Sequence, residues 1–189
     1  ISEAVKKLDA QHNLLSRALQ VLTDRKARAE IATSLNLLVR VIAALPPTVF
    51  SNRNAPWLYF YEDFLAVYDP ELRKNAGAYY TPVEVVHAQV RLIDDLLTDR
   101  LGKRLGFADS DVITLDPAAG TGTYLLGVVE HALEQVKQLQ GAGAVPGCAT
   151  ELAKNLYGFE LMVGPYAVAE LRLSRALNDE RATLPEHGT

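Results

Sequence analysis

The sequence predicts an α/β fold: the first units of a doubly wound parallel sheet, preceded by a helical segment. Two short runs read as strands, Val112-Ile113-Thr114-Leu115 and Leu156-Tyr157-Gly158-Phe159-Glu160, and each is followed by a helical stretch. A glycine-containing turn, residues 116–122, joins the first run to its helix. Strand, helix, strand, helix in that order opens a parallel sheet with crossover helices. With only two strand signals, the sheet is expected to be truncated after its second unit.

The N-terminal part reads as helical. Val5, Leu8, His12, Leu15, Leu19 and Leu22 recur at helical spacing, and Ile31, Leu35, Leu38, Ile42 and Leu45 form a second stripe. The break falls at Thr23-Asp24, with Asp24 as the expected cap of the second helix. Pro46-Pro47 ends that helix. Two antiparallel helices are the simplest packing. Residues 46–56 read as a linker, Trp57 to Tyr68 as an aromatic helix, and residues 69–81 as an irregular loop.

A further helix has a marked start. Thr81 is placed to cap it, Pro82 to occupy its first position, and Glu84 to complete a capping box. Val85, Val86, Val90, Ile93, Leu96 and Leu97 are its expected buried side, and it ends near Leu101-Gly102. After the first strand and the turn, Thr123 to Leu139 is a helix, Gly141 to Gly147 a flexible loop, and Pro165 to Leu177 the second crossover helix.

Composition narrows the function classes. Of 189 residues, 49% are hydrophobic and 22% charged, which is globular rather than disordered. The lone Cys148 makes neither an internal disulfide nor a cysteine-rich zinc site, which fits a reducing, cytoplasmic setting. His12, His87, His131 and His187 have no metal-ligand spacing. No signal peptide and no membrane-length apolar run is evident. The formal net charge of −4 advertises no basic face, so any grip on nucleic acid is expected mainly outside this chain or in small patches such as Arg73-Lys74. Both ends read as cuts within a longer protein.

Three motifs carry chemistry. The first is Asp116-Pro-Ala-Ala-Gly120-Thr-Gly122 between strand and helix. Its glycines allow close backbone approach to a ligand, and the helix start favours a ligand carboxylate. Asp116 is placed to accept from an ammonium or amide. The dinucleotide fingerprint needs a third small residue where Leu125 stands, and no Gly-Lys-Ser/Thr follows, so a nicotinamide cofactor is disfavoured and a P-loop excluded. The second is Glu160, ending the second strand, where a carboxylate either takes both ribose hydroxyls or is simply solvated. The third is Gly77-Ala-Tyr79-Tyr80-Thr81-Pro82, a helix cap that also offers a ligand contact.

In this order the three motifs closely resemble the N6-adenine DNA methyltransferases, particularly those within single-chain restriction–modification enzymes. The resemblance covers about residues 57–177, and Tyr59-Phe-Tyr-Glu-Asp-Phe-Leu65 adds to it. It implies a truncated Rossmann-like, S-adenosylmethionine-dependent methyltransferase fold at 57–189, after a helical spacer at 1–56. It further implies that Tyr80 and Thr81 touch the methionine end of S-adenosyl-L-methionine. Asp116, Ala118, Gly120 and Gly122 would line its amino-acid moiety, and Glu160 would hold the ribose. Met162 is assigned either to the adenine ring or to the core. The implied partner is DNA, bound mainly by other parts of the parent protein. The family's catalytic Asn/Asp-Pro-Pro-Tyr/Phe tetrapeptide is absent, and Leu45-Pro46-Pro47-Thr48 has the wrong flanks. No catalytic or metal residue is therefore assigned, and the chain alone is expected to be inactive. A non-catalytic binding module on a degenerate methyltransferase fold is the alternative. Oligomeric state and recognition sequence are not readable.

Overall fold

The computed structural model describes Ser16, Arg17, Gln20, residues 24–46, Val67, Glu71 and residues 81–184. The chain divides into two compact units, Ile1–Val67 and Tyr68–Thr189. The first helical stripe, most of the linker, the aromatic helix and the loop through Tyr80 lie outside the described residues, apart from those isolated positions.

In the first unit, helix α1 spans Arg25–Ala44. Asp24 caps it as expected: its carboxylate accepts from the backbone N–H of Lys26 at 2.9 Å and of Ala27 at 3.1 Å. Leu45 is extended because Pro46 follows it, and this stops the helix. Asp24→Ala is expected to cost the helix about 1 kcal/mol, read as a lower urea midpoint in circular dichroism. No residue of α1 is buried, and Leu38 and Ile42 of the anticipated stripe are exposed.

The second unit is built around one helix. Its elements are α2 (Val83–Asp99), a 3-10 turn (Gly106–Ala108), β1 (Thr114–Asp116) and α3 (Thr123–Gln140). A second 3-10 turn (Ala142–Ala144), α4 (Val145–Lys154), β2 (Leu156–Gly158) and α5 (Val163–Asp179) follow. Helices α2, α4 and α5 and both 3-10 turns pack on α3. Its buried positions, Leu125, Val128, Val129, Ala132, Leu133 and Val136, fall on one helical face and form the middle of the core. Gly127 lets α2 come close, since a Cβ there would sit 2.9 Å from Val86 Cγ1.

The two strands pair in parallel, with Thr114 opposite Leu156, Leu115 opposite Tyr157 and Asp116 opposite Gly158. Leu156 is buried, whereas Leu115 and Tyr157 are exposed, so one face of this sheet is covered and the other is open.

Three expectations need correction. Pro82 is the N-cap residue of α2 rather than its first helical residue, and among the described residues no side chain caps the helix. The proline's ψ of 134° keeps it outside the helix, and it has no N–H to donate the return bond of a capping box. Its carbonyl instead accepts from Val85 and Val86.

The buried face of α2 is Val86, Val90 and Asp94, with Leu97 partly covered, while Val85, Ile93 and Leu96 are exposed. The apolar residues span two adjacent stripes, and the core takes the one that contains the carboxylate. The glycine-rich stretch after α3 is not a loop throughout: α4 begins at Val145 with a proline in its first turn, where the missing N–H costs nothing. It buries Val145, Ala149, Leu152 and Ala153. At the other end of α2, Gly102 closes the helix at φ +69°, and the N–H of Lys103 bonds back to the Leu97 carbonyl at 2.9 Å.

Candidate functional site

The carboxyl ends of β1 and β2 are tied together past the last paired residues. The N–H of Phe159 donates to the Asp116 carbonyl, and the N–H of Ala119 to the Phe159 carbonyl, both at 2.9 Å. This brings the turn after β1 against the segment after β2.

Within the turn, Asp116 Oδ1 accepts from the N–H of Ala118 at 3.0 Å. Asp116 Oδ2 is shut off from solvent and has no hydrogen-bond partner among the described residues. Gly120 and Gly122 have φ of +55° and +76°, the left-handed region that side chains resist. They differ in surroundings. Among the described residues a Cβ on Gly120 would meet nothing within 4 Å, whereas one on Gly122 would lie 3.0 Å from Ala169 Cβ on α5. Gly122 is also the N-cap residue of α3, and among the described residues no side chain makes a cap hydrogen bond at that helix start. The first amides of a helix have no intrahelical partner and carry its positive dipole end.

Glu160 reaches this turn from the other strand. Its Oε2 accepts from the N–H of Gly120 at 2.9 Å, and its Oε1 from the N–H of Met162 at 2.7 Å. A carboxylate has about four acceptor positions, so each oxygen keeps one for a further donor. Two vicinal hydroxyls match that remaining capacity. A cleft beside Glu160 is lined by Ala119, Gly158, Tyr166, Glu170 and Leu173. Burial first, and then the Glu170 carboxylate, push the Tyr166 phenol above its ordinary value, so it is a neutral donor at physiological pH.

The family described as N-6 DNA Methylase matches residues 59–179, well over half of the chain. The chain belongs to the N-6 DNA methylase family. The matched span contains both strands, the glycine turn and Glu160. The chain is also similar in fold to DrdV, solved by cryo-electron microscopy as a DNA complex. The TM-score is 0.65 at 22% identity, and the match covers 95% of this chain and 17% of the DrdV chain. No curated protein matches the sequence.

The structure brings Asp116, Ala118, Gly120, Glu160 and Met162 to one end of the sheet, with Gly122 between Gly120 and α3. Thr81 lies just before α2, half-buried, and makes no hydrogen bond to this group among the described residues. Tyr80 lies outside the described residues.

Two features escaped the sequence reading. Arg172 of α5 bonds to the glycine turn from 51 residues away, which no local pattern signals. A buried cluster joins Asp94 to the backbone of Phe107 and to Gln135 and His131. It did have a signal, because Asp94 continues the four-residue spacing of Val86 and Val90 onto the core face. Among the described residues no group of His, Cys, Asp or Glu has the arrangement of a metal site, and no helix is long and apolar enough to cross a membrane.

Proposed function

We propose that this chain is the cofactor-binding part of a DNA methyltransferase that acts on adenine N6, within a restriction–modification enzyme. The observation that carries the reading is the convergence of two carboxylates on one glycine turn. Asp116 has a buried oxygen without a partner, and Glu160 is held at 2.9 Å from the Gly120 amide with acceptor capacity left over. This donor and acceptor set fits S-adenosyl-L-methionine. Asp116 would take the ammonium, the open start of α3 the carboxylate, and Glu160 the ribose hydroxyls. Ala118, Gly120 and Gly122 would let the backbone lie close, Tyr80 and Thr81 would close the methionine end, and Met162 would flank the adenine. When bound, the cofactor supplies an activated methyl group for direct attack by an amine. The protein contributes positioning and electrostatics.

The fold we propose is Rossmann-like at 57–189, after a helical spacer at 1–56. The exposed Leu115–Tyr157 face is the kind that helices cover in a doubly wound sheet. The catalytic tetrapeptide is absent from this sequence, so the purified chain is expected to transfer no methyl group to DNA above a no-protein control. DNA would be held mainly by other parts of the parent protein.

Glu160 provides the test. Glu160→Ala is expected to weaken S-adenosylmethionine binding about tenfold or more, roughly 1.4 kcal/mol or above, because charge-assisted hydrogen bonds are lost. Calorimetry with a 2′,3′-dideoxy analogue separates the ribose contact from the bond to Gly120. Wild-type protein should bind that analogue weakly, and Glu160→Ala should lose little further affinity for it. Equal losses for both ligands would remove Glu160 from the ribose site.

A further inference from the structure

We infer that Arg172 is a positioning residue that holds the glycine turn in its binding shape. This rests on the reading of the turn as the S-adenosylmethionine site.

Arg172 lies on α5, half-buried, and one of its terminal guanidinium nitrogens makes the contacts to the turn. That nitrogen donates to the Thr121 carbonyl at 2.6 Å and lies 3.4 Å from the hydroxyls of both Thr121 and Thr123. Ala169, three residues earlier on the same helix, sits under Gly122. Glu160, from the segment after β2, accepts the Gly120 amide. The short stretch from Gly120 to Gly122 is therefore held at three points: its first N–H by a carboxylate, its middle carbonyl by a guanidinium, and its last Cα against a helix.

The physical reason is conformational entropy. Two glycines enclosing one residue make the turn the most permissive part of the site. If it were free, ligand binding would have to order it, and that ordering subtracts directly from affinity. A charge-assisted bond from a half-buried guanidinium is among the stronger ways to order it beforehand. The same bond keeps the Thr121 carbonyl on α5. A carbonyl oxygen turned toward the helix start would repel a ligand carboxylate.

The test uses the full chain with Arg172→Met and Arg172→Lys. Three quantities are read: affinity for S-adenosylmethionine by calorimetry, amide hydrogen exchange at Gly120 and Gly122, and melting temperature without ligand. Arg172→Met is expected to weaken binding about tenfold and to speed exchange at both glycines by a similar factor, with little change in melting temperature. Arg172→Lys should restore most of the affinity, since the contacts to the turn run through one nitrogen and an ammonium carries three donors. An Arg172→Met protein that binds within twofold of wild type, or that only melts lower, overturns the proposal. If wild-type protein binds no S-adenosylmethionine, the reading of the site fails. The exchange rates then decide alone: unchanged exchange in Arg172→Met overturns the positioning role, and faster exchange confined to the turn supports it.

Discussion

Asp94→Ala is expected to lower the unfolding free energy by about 3–5 kcal/mol, because it strips the partners from several buried groups at once. The Asp94 side chain is only 4% exposed, with His131 Nε2 3.2 Å from its Oδ2. Its Oδ1 accepts the N–H of Phe107 at 3.0 Å, and its Oδ2 accepts from Gln135 at 2.9 Å. The carboxylate thus ties α2 to α3 and to the 3-10 turn. The turn is shaped to admit it, since a Cβ on Gly106 would fall within 1.8 Å of Asp94 Oδ1. Alanine leaves the buried Phe107 N–H and the Gln135 amide without acceptors, and each such group costs about 1–3 kcal/mol. Domains have about 5–15 kcal/mol in total, so a fall in melting temperature of about 10 °C or more should follow. Asp94→Asn keeps the shape and one acceptor and should lose less. An Asp94→Ala protein that melts within a degree or two of wild type would mean the cluster is not what joins these elements.

The largest functional effect is expected at Gly122. Gly122→Val should abolish measurable S-adenosylmethionine binding, a loss of about a hundredfold or more, and should also lower stability. Two causes add. The backbone there has φ +76°, which a β-branched residue resists strongly. The new Cβ would also meet Ala169 at 3.0 Å to its Cβ and 3.2 Å to its Cα, so the turn must lift away from α5. Gly120→Val separates these effects. Its φ of +55° is also left-handed, yet among the described residues a Cβ there meets nothing within 4 Å, so the fold should survive while the branched side chain fills the space of the proposed ligand. Calorimetry and urea denaturation on both variants check this. Strong binding by Gly122→Val, or equal destabilisation of the two, would contradict the account.

The convergence of the glycine turn and Glu160 could be read from the sequence because it is local. Asp116, Gly120 and Gly122 lie within one strand-to-helix turn, and Glu160 lies just past the second strand, so a parallel pair of strands brings them to the same edge. The cap at Asp24 was legible for the same reason. What escaped needed information from outside the local pattern. On α2 the apolar residues cover two neighbouring stripes, and periodicity alone could not choose the one that includes Asp94. At α4 the glycines and Pro146 look like breakers, yet a proline in a first turn is compatible with a helix, and burial of Ala149 and Leu152 outweighs the local weakness. The strand ends shifted by up to two residues: β1 starts at Thr114 rather than Val112, and β2 stops at Gly158, where the chain turns to bring Glu160 onto Gly120. Arg172 reaches the turn only through the packing of α5 on α3, which no local pattern encodes.

Calorimetric titration of the folded wild-type chain with S-adenosylmethionine, with NAD as the comparison ligand, tests directly whether the glycine turn and Glu160 form a cofactor site. Saturable one-to-one binding of S-adenosylmethionine and none of NAD is the expected result. A chain with native circular dichroism that gives no heat with S-adenosylmethionine, or that binds NAD equally well, would contradict it.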